Sequence, residues 1–132
     1  MLVVDANVIV QASIDAAGLG PLEGHALLVP PVMPSEALSA LHEMRYRDEI
    51  SPALAALALN RLPQLGYEIR HLAALPVEAW RIAEQLGWAK TYDAEYVALA
   101  RLLSCPVVTL DGRLRRGAGR LVEVIGPGDI TS

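Results

Sequence analysis

Four carboxylates sit where the apolar runs of this chain end or its helices are expected to begin. Asp5 closes Leu2-Val3-Val4, and Asp111 closes Pro106-Val107-Val108-Thr109-Leu110. Glu36 follows Pro34-Ser35, and Asp93 follows Thr91-Tyr92. An acid placed directly after a buried strand contributes nothing to the core. If the two strands are parallel neighbours, their acids meet in the crevice at the carboxyl ends, where open α/β sheets bind ligands. Like charges held that close repel unless a cation or a proton compensates them. Magnesium prefers oxygen ligands, keeps several waters, and binds through a few carboxylates together with substrate phosphate. Such an ion acidifies water and offsets charge on the leaving oxygen of a phosphodiester. Taken singly, each acid has a plainer reading as a turn residue or as a first-turn partner of a helix dipole. The joint placement points to a divalent ion and to phosphodiester chemistry.

The neighbouring polar residues fit the same picture with varying force. Asn7, two residues after Asp5, is placed either to orient a metal-bound water or to cap the following helix. Thr109 can hydrogen-bond the acidic site, although threonine in a strand needs no special reason. Thr91 reads as a helix cap, and Glu95 as a solvated residue directed away from Asp93. Arg113, Arg115, Arg116 and Arg120 cluster just after Asp111, and the first three are candidates for phosphate binding. Arginines on an exposed turn are otherwise simply solvated. Glu43 lies on the same expected helix as Glu36, so either could complete the acidic group.

Other chemistries find little support. His25, His42 and His71 lack metal-ligand spacing, and Ser35, Ser39 and Ser51 lack a nucleophile-elbow pattern. Gly18-Leu19-Gly20 is not followed by the Lys-Ser/Thr of a phosphate loop. With Cys105 as the only cysteine, an internal disulfide and a zinc site built on several cysteines are both excluded.

The elements that must position these groups are legible in outline. Apolar residues make up 53% of the 132 residues, and the mean hydropathy of +0.34 argues against disorder. Short strands are expected at Leu2–Val4, Ala26–Val29, Gly66–Leu72, Val107–Leu110 and Leu121–Ile125. Helices are expected over residues 7–17, from Pro34 to about Arg47, from Pro52 to about Leu62, over Pro76–Leu86, and from Thr91 to about Ser104. Ser51 before Pro52 fits a helix start, and Gly87 a helix stop. Strands alternating with helices imply an α/β, three-layer fold with a mostly parallel sheet flanked by helices, in one domain over residues 1–132. Residues 53–59 (Ala-Leu-Ala-Ala-Leu-Ala-Leu) are apolar on every side, so this helix is expected to be covered by the core or by a partner subunit. No apolar segment is long enough for a membrane span, and Asp5 interrupts any leader-like run, so the cytoplasm is the expected location. The net charge of −4 disfavours nucleic acid on its face. However, all of the basic residues lie from Arg45 onward, while the first 44 residues carry five acids and no base.

Together, Val3-Val4-Asp5-Ala6-Asn7, Pro34-Ser35-Glu36, Thr91-Tyr92-Asp93-Ala94-Glu95-Tyr96-Val97-Ala98-Leu99-Ala100 and Val108-Thr109-Leu110-Asp111 resemble PIN domains. The likeness is to the VapC-type toxins of toxin–antitoxin pairs and spans essentially the whole chain. The resemblance implies that Asp5, Glu36, Asp93 and Asp111 form an acidic metal-binding and catalytic quartet, with Asn7 and Thr109 as its polar companions. It further implies an endoribonuclease dependent on Mg²⁺ or Mn²⁺, a homodimer, and inhibition by a cognate antitoxin that wraps the toxin. One alternative is a PIN-like module that binds RNA or protein without cutting it. A phosphoacceptor receiver domain would need paired acids after the first strand, an aspartate after a middle strand and a late lysine. Here Asp5 stands alone, the middle strand runs into Pro30-Pro31, and Lys90 is the sole lysine.

Overall fold

β1 (Leu2–Val4) is buried along its whole length, as a strand covered on both faces must be. It lies at the centre of a five-stranded sheet whose order is β3-β2-β1-β4-β5, with every pairing parallel. Its partners are β2 (Leu27–Val29) on one side and β4 (Val107–Val108) on the other. The edges are β3 (Glu68–Ile69), which is exposed, and β5 (Val124–Ile125). The computed structural model describes residues 1–130; the last two residues of the expected 1–132 domain lie outside the described residues.

The chain leaves β1 to build β2 and β3 on one side, then crosses back to lay β4 and β5 on the other. The strand order therefore reverses between β1 and β4, and their carboxyl ends open the crevice where such sheets take ligands. Val3 pairs with Val107 and Val4 with Val108, so Asp5 and Thr109 come next in register across the gap.

Among the described residues, six α-helices flank the sheet. The first, α1 (Ala6–Ile14), packs with α2 (Met33–Tyr46) and α3 (Pro52–Arg61). Opposite this group, α4 (Leu75–Leu86) packs with α5 (Tyr92–Leu103), and α5 contacts β1 and β4. Ser51 caps α3 by accepting a hydrogen bond from the Leu54 amide at 3.1 Å. Gly87 ends α4 in the left-handed region at φ 70°, a conformation that costs a side-chain-bearing residue more.

Two expectations need correction. The arginine cluster is not a turn: residues Gly112–Ala118 form a short helix, α6, with Leu114 and Ala118 buried at i, i+4 spacing. Helix α3 is not covered on all sides by the core, since it buries only Ala58 and leaves Leu57 and Leu59 exposed. Among the described residues, no helix is long and apolar enough to cross a membrane.

The core is one continuous cluster, in which α5 contributes Tyr96, Val97, Ala98, Leu99 and Ala100. Replacing Leu99 by alanine is expected to cost about 2–5 kcal/mol through lost burial and cavity formation. The same change at Leu102, on the exposed side of that helix, should cost less than about 1 kcal/mol. Urea unfolding of the two variants checks which face of α5 is buried.

Candidate active site

Asp5 is the last residue of the β1 segment to hydrogen-bond into the sheet, its amide donating to the Val108 carbonyl at 2.9 Å. That bond fixes its backbone beside β4, and its side chain is only 8% exposed. The Thr109 hydroxyl donates to Asp5 Oδ2 at 2.7 Å. The same hydroxyl oxygen accepts from Asn7 Nδ2 at 3.3 Å and from the Asp111 amide at 3.0 Å. Thr109 thus ties the end of β1, the first turn of α1 and the β4–α6 connection to one atom. Asn7 does not cap its helix. Its Oδ1 accepts from the Leu110 amide at 3.2 Å and so secures the same connection.

Glu36 stands in the first turn of α2, five residues after Pro31 of the proline pair that follows β2. The buried hydroxyl of Tyr96 donates to its Oε1 at 2.7 Å. Glu43, two turns further on, pairs instead with Arg47 at 2.6 Å on the exposed side of α2. Asp93 opens α5, and Asp111 caps α6 by accepting from the Arg113 amide at 2.8 Å.

Three of these carboxylates, Asp5, Glu36 and Asp93, are raised by burial and by neighbouring negative charge. Burial pushes the Asp5 carboxyl up to about 6 against the lowering bond from Thr109, with the charges of Asp93 and Glu36 adding to the rise. Burial also raises Glu36, opposed by the Tyr96 hydrogen bond and assisted by Asp93. Asp93 keeps an exposed side, yet partial burial raises it too, with Asp111 adding and Arg113 subtracting. Glu95 is not the solvated bystander expected from its position: it is half-buried, and burial and the Glu36 charge raise its carboxyl.

These groups are hard oxygen donors with little positive charge to balance them. Arg113 lies 3.8 Å from Asp111 across an exposed contact. Arg115 is turned to Asp129 at 3.2 Å, and Arg116 forms no ion pair among the described residues. Nor do three acidic, histidine or cysteine side chains among the described residues close into a ready-made metal cage. A hydrated ion that uses one or two direct carboxylates and several waters suits such an open set better than a fully dehydrated one. His25, His42 and His71 are all exposed, and Thr91 makes no side-chain cap.

Comparison with known proteins gives a consistent answer. Residues 2–120 match the profile of the PIN domain. The chain is 34% identical over 115 residues to Ribonuclease VapC9 of Mycobacterium tuberculosis, covering 86% of this chain and 88% of that protein. Among solved structures it resembles PAE2754 from Pyrobaculum aerophilum, with a TM-score of 0.75 at 20% identity, over 96% of this chain and 83% of that one. It also resembles FitAcB from Neisseria gonorrhoeae, with a TM-score of 0.64 at 19% identity, over 98% and 99% of the two chains.

A raised Asp5 carboxyl makes the crevice a stability cost near neutral pH. The folded protein holds this proton up to about pH 6, whereas the unfolded chain releases it near its ordinary value of 3.8. Between those values the folded state binds more protons, so stability falls as pH rises. In ion-free buffer the Asp5 contribution is a loss of about 3 kcal/mol from pH 4 to above pH 6. Asp5→Asn is expected to melt higher than the wild type at pH 7.5 in EDTA, with the difference vanishing near pH 4. Thermal melts across that range check it, and a variant less stable than wild type at pH 7.5 contradicts it.

Proposed function

The chain belongs to the PIN domain family, among the VapC ribonucleases, and we propose that it is a metal-dependent endoribonuclease toxin that hydrolyses RNA phosphodiester bonds. The observation that carries this reading is the gathering of Asp5, Glu36 and Asp93, whose carboxyls burial and neighbouring negative charge raise, with Asp111 beside Asp93 at the β1/β4 switch point. These four would hold the ion, Mg²⁺ or Mn²⁺. When bound, it supplies acidification of a water nucleophile and charge compensation at the leaving oxygen.

The remaining work falls to the chain itself. Thr109 and Asn7 hold Asp5 and the Asp111 connection in place, so the acids do not have to be organised when substrate arrives. Of the candidate phosphate-binding arginines, Arg113 beside Asp111 and Arg116, which forms no ion pair among the described residues, are better placed to meet the RNA backbone than Arg115, which Asp129 engages.

The partners follow the same reading. The apolar residues left open on α2 and α3, Leu38, Tyr46, Leu57 and Leu59, offer a surface for the wrapping segment of an antitoxin. The active form is a homodimer, and the expected setting is the cytoplasm.

Asp5→Asn and Asp93→Asn should each fold and lose Mn²⁺-dependent cleavage of single-stranded RNA by about 100-fold or more. EDTA should abolish wild-type cleavage. Undiminished cleavage in both variants contradicts the acidic assignment, and RNA binding without any cleavage by the wild type favours the non-catalytic module instead. Leu59→Glu should leave unfolding stability within about 0.5 kcal/mol of wild type while weakening inhibition by the antitoxin.

A further inference from the structure

Tyr96 lies on α5, three residues after Asp93, and is fully buried. An aromatic residue at that position has a sufficient reason to exist in filling the core. Its hydroxyl adds something a core residue does not need. It is not spent on a backbone carbonyl but on Glu36 Oε1 at 2.7 Å, sixty residues away on another helix. This is the only side-chain hydrogen bond between α2 and α5 among the described residues, and the only one that the Glu36 carboxylate makes.

The surroundings of that hydroxyl are specific. Burial raises the phenol, and the charges of Glu36 and Asp5 raise it further, while the Ala6 backbone lowers it. Hydrogen bonds to an ionised acceptor are shorter and stronger than neutral ones, so this contact restrains a glutamate side chain that is otherwise free to rotate into solvent. It also counters part of the repulsion that Asp93 exerts on Glu36.

We propose that Tyr96 is a positioning residue: its buried hydroxyl commits one oxygen of Glu36 and leaves the other to face the ion or its water shell. The proposal rests on the nuclease reading of the crevice and assigns no contact between Tyr96 and substrate. Outer contacts of this kind commonly set metal affinity over a 10- to 100-fold range.

The test uses the full chain and Mn²⁺ as the probe, titrated calorimetrically without RNA. Tyr96→Phe keeps the ring and removes only the oxygen. It is expected to weaken Mn²⁺ binding by about 10-fold and to lower kcat while leaving KM for RNA unchanged. In a Glu36→Gln background, Tyr96→Phe should have no further effect on Mn²⁺ binding. If the phenylalanine variant fails to fold, Glu36→Asp carries the test from the other side. It retains the charge but cannot reach the Tyr96 hydroxyl, and should lose Mn²⁺ affinity to the level of Glu36→Gln. Wild-type Mn²⁺ affinity in Tyr96→Phe or in Glu36→Asp overturns the proposal, as does an equal loss in the Glu36→Gln background. A wild-type protein that binds no Mn²⁺ overturns the reading of the crevice and this proposal together, whereas wild-type binding and cleavage unchanged in Tyr96→Phe overturn this proposal alone.

Discussion

The parallel pairing of β1 with β4 is the constraint on which the rest of the site depends. Two strands that are far apart in sequence lie side by side at the point where strand order reverses, and their register brings Asp5 opposite Thr109. Everything polar in the crevice is then arranged from that pair outward. Thr109 reaches the Asp111 amide, Asn7 reaches both Thr109 and the Leu110 amide, and α6 starts from the Asp111 side chain. From the two flanking helix groups, α2 and α5 deliver Glu36 and Asp93 by their first turns. Slipping β1 by one residue would turn Asp5 to the other face of the sheet and dissolve the group.

Holding these acids together conflicts with the stability of the fold. Burial and mutual repulsion raise Asp5, Glu36 and Asp93, and the hydrogen bonds from Thr109 and Tyr96 offset only part of that. Proteins retain such strained polar groups at sites of function, where an apolar replacement would fold better and do less. The sheet and the buried face of α5 supply the hydrophobic stabilisation that tolerates it.

Much of this was legible in the sequence because it is written in short-range patterns. Continuous apolar runs marked β1, β2 and β4, while Ser51-Pro52 and Gly87 marked helix ends that the structure also has. Helix α6 was hidden by its glycines, which lower helix propensity; the spacing of Leu114 and Ala118 was the available clue. Partners of side chains across long sequence separations were not legible. Asn7 stood open between capping its helix and orienting a metal-bound water, because its actual partners, the Leu110 amide and Thr109, lie more than 100 residues away. The partner of the Tyr96 hydroxyl was not legible either, because Glu36 is sixty residues away and nothing local announces it. Glu95 was read as solvated from its helical position alone, although α2 brings Glu36 close to it.

The central claim is that Asp5, Glu36, Asp93 and Asp111 together hold a divalent ion at the β1/β4 switch point. Anomalous diffraction from crystals soaked in Mn²⁺ tests it most directly. The account predicts a single region of anomalous density among those four carboxylates, lost in crystals of Asp5→Asn. Density absent from that crevice, or found instead at the exposed face of α2 beside His42 and Glu43, would contradict it.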